Sequence, residues 1–66
     1  MKNRPTFNLV LDTPAGSEVL ATGVPTYDRY AIWVRAIAAR LGDGAKRDLC
    51  TQTAWVGDRR LHWVKA

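Results

Sequence analysis

Sixty-six residues, 7.4 kDa, confine this chain to one domain (1–66), and a domain of that size buries only roughly 60% of the surface its unfolded chain exposes. A composition 47% hydrophobic and 24% charged excludes a disordered tail and a collagen-like repeat, while a single cysteine, Cys50, and a single histidine, His62, exclude a disulfide scaffold and a structural zinc site. Ten Lys and Arg against six Asp and Glu give a net charge of +4, and seven of those cations are arginine, the side chain suited to bidentate and stacked contacts.

The residues 6–12, Thr-Phe-Asn-Leu-Val-Leu-Asp, place Phe7, Leu9 and Leu11 on one side of an extended strand and Thr6, Asn8 and Asp12 on the other. A proline and a glycine in the residues 13–17 reverse the chain, which returns over 18–24 as the second strand of a hairpin. In that strand Val19 and Ala21 compete with Leu20 and Val24 for the inner face and Gly23 weakens both choices, so its register stays open.

Pro25 ends the strand, and Thr26 is expected to cap a helix that starts near Tyr27, with Asp28 in its first turn. At 100° per residue, Tyr27, Tyr30, Ala31, Val34, Ile37, Ala38 and Leu41 share one side, which the pattern assigns to the core. Gly42 and Gly44 stop the helix, and 43–47 reads as a polar connection.

The residues 48–65 hold two extended runs around Gly57-Asp58, a pair suited to a two-residue hairpin loop. With that loop Val56 faces Arg59, Ala54 faces Leu61 and Gln52 faces Trp63. One face then carries Cys50, Ala54, Val56, Leu61 and Trp63. The other carries Thr51, Thr53, Trp55, Arg60, His62 and Val64, a mixture unsuited to a core. The expected fold is therefore α+β, a β-β-α-β-β antiparallel sheet of about four strands with one helix on one face. Phe7, Leu9, Leu11, Val34, Ile37, Leu41 and Leu61 form its expected core, and one sheet face is left open.

No nucleophile elbow, zinc-protease helix or phosphate loop is present, so the expected function is non-enzymatic and no cofactor or metal is implied. His62 reads as a surface imidazole and Cys50 as a small buried hydrophobe. Two surfaces are candidates for partner binding. The open sheet face offers Trp55 beside Arg60 and His62, with Arg59 next to the loop, a combination used both by protein hot spots and by single-strand nucleic-acid binders; alternatively Trp55 pairs across its strand or lies under the N-terminus. The helix offers Arg29, Trp33 and Arg40 along the border of the core; alternatively Trp33 covers the sheet margin and the arginine stems lie over it.

The sheet, helix-turn-helix and zinc-finger signatures of nucleic-acid binders are missing. In plan and size alone, hairpin, helix, hairpin in one small basic chain resembles the compact proteins with which phages and other mobile elements block host machinery, among them anti-CRISPR inhibitors; no residue carries over from that resemblance. It implies an inhibitor-type accessory protein that docks on a host protein or nucleoprotein complex, with a nucleic-acid-binding regulator as the alternative. No apolar run approaches the roughly 20 residues that span a bilayer, so no membrane partner is expected. The expected setting is the cytoplasm, as a monomer or homodimer.

Overall fold

The computed structural model describes residues 4–66. Strand β1 (Thr6–Thr13) and strand β2 (Gly16–Pro25) form the first hairpin. At its tip the Thr13 hydroxyl accepts from the Ala15 N–H at 3.2 Å and donates to the Gly16 carbonyl at 3.0 Å, a local turn typical of threonine before a reversal. Two register shifts give β2 an extra residue on each side of the Leu9↔Ala21 pair, which is why ten residues lie against eight. Gly23 sits at φ +62° inside the second shift, and its N–H donates to Asn8 Oδ1 at 3.2 Å. These bulges settle the register left open by the sequence: Val19 is exposed, Leu20 and Ala21 pack on the core, and Val24 is buried.

A 3₁₀ turn (Thr26–Asp28) leads into helix α1 (Arg29–Ala36), which continues as a π turn (Ile37–Leu41). The expected Thr26 side-chain cap is not made; the chain enters by the tighter turn instead, whose Arg29 N–H bonds the Thr26 carbonyl. At the far end the Gly42 N–H donates to the Ile37 carbonyl at 2.7 Å. Gly42 stands at φ +87°, a conformation that needs glycine, and Gly44 has no comparable role.

Strands β3 (Lys46–Asp48), β4 (Thr53–Val56) and β5 (Arg59–Lys65) complete one antiparallel sheet in the order β2-β1-β5-β4-β3. The fold is α+β with five strands, one more than the expected count, because the polar connection contributes its own short strand. The Gly57-Asp58 loop holds as read: Val56 pairs with Arg59, Trp55 with Arg60 and Ala54 with Leu61. The strand does not extend back to Cys50, however. Asp48 Oδ1 accepts the Cys50 N–H at 3.0 Å and Gln52 takes φ +54°, so the chain turns over 49–52 and Cys50 is exposed, not buried as expected.

The core lies between the sheet and the helix: Leu9, Leu11, Trp33, Ile37, Ala54 and Leu61 are all buried, with Val34 and Leu41 packed at its margin. Phe7 is half-buried beneath Arg29. The helix is rotated from the expected face, since Tyr27 is 77% and Tyr30 56% exposed whereas Trp33 is 1% exposed. One reason favours this rotation: Trp33 with Ile37 one turn on supplies more apolar area to the sheet, enough to offset a buried indole Nε1–H that has no hydrogen-bond partner among the described residues.

Candidate functional site

Each strand places one residue in a row across the face of the sheet away from the helix. Ser17 opposes Asp12, Asp12 opposes Arg60, Arg60 opposes Trp55, and Trp55 opposes Lys46, so the row crosses all five strands. Next to it lie Val19, Val10 and His62, paired in turn across β2, β1 and β5, and Asn8 opposite Val64. Trp55 is 38%, Val64 44% and Val19 54% exposed. Alternation along each strand sends these residues outward because their neighbours Leu9, Leu11, Ala54 and Leu61 are held by the core.

Asp12 organises one half of this face. Its Oδ1 accepts from the Ser17 hydroxyl at 2.6 Å, and its Oδ2 lies 2.8 Å from His62 Nε2. An ionised carboxylate only accepts, so Nε2 carries the proton of that second bond. The Ser17 hydroxyl bond chiefly, then His62 and Arg60, hold the Asp12 carboxyl below its ordinary value against the partial loss of water that works the other way. The order is hydroxyl, carboxylate, imidazole. An acyl-transfer triad needs the imidazole in the middle, in contact with the hydroxyl it activates, so the arrangement suits fixing two side chains on a flat surface.

Of the residues singled out from sequence, Trp55, Arg60 and His62 come together on this face. Arg59 does not join them. It lies on the helix side, where its Nη1 donates to the Arg40 carbonyl at 3.0 Å near the helix end. Arg40 in turn makes a two-pronged contact with Glu18, 3.1 and 3.0 Å, and these three residues line a shallow cleft of about 410 Å³ with Leu11 and the hairpin tip.

Within the helix stripe, Trp33 is a correction. Trp33 is buried in the core and unavailable to a partner. Arg29 lies with its guanidinium 4.2 Å from the Phe7 ring centroid and 5.1 Å from that of Trp63, holding the helix start on the sheet through cation–π contact. The residues that sequence reasoning missed are Asp12, Ser17, Val10, Val19 and Lys46. The outward position was readable for Asp12; the proximity of the β1 and β2 residues to Trp55 and Arg60 depends on β1 pairing with β5, residues more than forty positions apart, and that of Lys46 on the short strand β3 pairing with β4.

Among the described residues no cluster of three or more metal-binding side chains occurs, and no helix is long and apolar enough to cross a membrane. Comparison of the chain with family models, curated proteins and solved structures finds no match.

Proposed function

We propose that this chain is a non-enzymatic binding protein of the inhibitor type, which docks through the uncovered sheet face on a protein surface of a larger host protein or nucleoprotein complex. The observation that carries this reading is Trp55, part-exposed between Arg60 and Lys46 in the middle of a row that spans the sheet. A flat indole flanked by cations, on strands fixed from behind by the core, is the composition and rigidity of a hot spot. Val10, Val19 and Val64 extend the apolar part, and Asn8, Ser17 and Thr53 supply neutral polar groups around it.

The charges of this face favour protein over nucleic acid as the partner. Arg60 and Lys46 are offset by Asp12 and Asp48, the latter opposite Thr53. A phosphate backbone laid along the rows would meet two carboxylates, whereas a protein surface with both charge signs would not be repelled. An exposed free thiol at Cys50 suits a reducing compartment such as the cytoplasm.

The test is a titration of labelled chain with random single- and double-stranded oligonucleotides, beside capture from nuclease-treated bacterial lysate. At about 150 mM salt the oligonucleotides are expected to bind in the micromolar range or weaker, with a protein still captured after nuclease treatment. Tight oligonucleotide binding, with affinity falling steeply in log salt, would instead make the chain a nucleic-acid-binding regulator.

A further inference from the structure

The helical stretch carries a second apolar strip along the flank of the core, of which only Val34 packs against the core. Tyr27, Ala31, Val34 and Ala38 recur at intervals of 4, 3 and 4, the spacing of a seam between helices packed side by side. Tyr27, Ala31 and Ala38 are exposed and Val34 is half-buried. Tyr30 flanks the strip, held in place by its ring lying 5.9 Å from that of Trp33.

We propose that this strip is a self-association surface, pairing with the same strip of a second copy in antiparallel fashion about a two-fold axis. Self-complementarity is the argument. In the register that sets Ala31 of one copy against Val34 of the other, Tyr27 falls against Ala38, so each large side chain meets a small one. Asp28 and Arg35 each follow a seam residue by one position and therefore share a flank. In the same register Asp28 of one copy adjoins Arg35 of the other, and the two-fold axis makes that pair twice. Neither takes part in an ion pair among the described residues, where the pairs are Arg40–Glu18 and His62–Asp12. A parallel pairing would instead oppose Tyr27 with Tyr27 and leave Asp28 and Arg35 of the two copies on opposite flanks of the seam.

The strip runs eleven residue steps from the 3₁₀ turn through α1 into the π turn, roughly 16 Å at about 1.5 Å per step, so the contact is small and the dimer weak. The helix lies on the opposite side of the sheet from Trp55. Two copies joined by their helices therefore leave both uncovered sheet faces free, and a partner with two sites would be held bivalently. The self-association stands or falls independently of the docking proposed for that face.

Sedimentation velocity of the full chain from about 10 to 1000 μM reads the dimer directly. Asp28→Arg and Arg35→Asp, each placing like charges together twice, should raise the Kd at least about tenfold, and the double swap should return it to within about threefold of the original. Ala31→Glu, a change at an exposed position, should also abolish the dimer while far-UV circular dichroism stays unchanged. A chain that is monomeric throughout, or a double swap as weak as either single change, would overturn the proposal. So would a dimer that survives all three single changes and is lost in Val19→Pro, since that would put the contact at the β2 edge.

Discussion

On the helix side of the sheet, Leu9, Leu11, Ala54 and Leu61 are no more than 4% exposed. On the other side the residues next to them in sequence, Val10, Asp12, Trp55 and Arg60, meet solvent and one another. The strands are the same; only the parity differs. One face gains its free energy from apolar area removed from water, whereas the other is held by hydrogen bonds such as Ser17 to Asp12 and by its attachment to the first. The comparison teaches that stability is carried by one set of alternate residues of these strands, so the other set can be changed with little effect on the fold.

Substitutions of the tryptophans give the widest separation. Trp33→Ala empties the largest buried site and is expected to cost about 3–5 kcal/mol, most of the stability a domain this small has. Trp55→Ala should stay within about 1 kcal/mol of the original protein. Urea denaturation followed by circular dichroism measures both, and a Trp55 loss as large as that of Trp33 would erase the distinction between the faces.

Arg29 sharpens the comparison at the margin, because it is a cation that belongs to the covered side. Arg29→Ala should destabilise the chain by about 1–2 kcal/mol through loss of its contacts with Phe7 and Trp63, and Arg29→Lys by less. Arg40→Ala breaks an exposed ion pair with Glu18 and should cost at most about 1 kcal/mol. The same denaturation curves rank the two arginines, and the reverse order would mean that the helix is fixed from its far end.

The smallest effect is titration on the uncovered face. The folded-state value of Asp12 lies below its ordinary 3.8, so its ionised form stabilises the fold above that pH. The contribution should disappear as pH falls from about 3.8 through the lowered folded value. Asp12→Asn should flatten this acid limb of the stability curve. An unchanged limb would show that Asp12 does not organise Ser17 and His62.

Much of this arrangement was legible in the sequence because it follows from local rules. Phe7, Leu9 and Leu11 alternate, Gly57-Asp58 fixes one hairpin register, and that register alone sends Trp55 outward and Leu61 inward. The helix rotation was not legible, since Tyr27, Tyr30 and Val34 on one side are as apolar as Ile32, Trp33 and Ala36 on another. The shape of a sheet not yet assembled decides between them. The β1–β5 pairing that brings Asp12 beside Arg60 and His62 is likewise a long-range outcome, and Cys50 escaped the strand through an aspartate turn at Asp48.

The central claim is that the uncovered face does the binding and the covered face does the folding. Its most direct measurement is capture of a lysate protein by the full chain and by the variant carrying both Trp55→Ala and Arg60→Glu, with thermal unfolding recorded for each. The account predicts that the variant unfolds at nearly the same temperature and loses about 2 kcal/mol or more of binding, a drop of roughly thirtyfold or greater in affinity. Capture undiminished in a folded variant would contradict it.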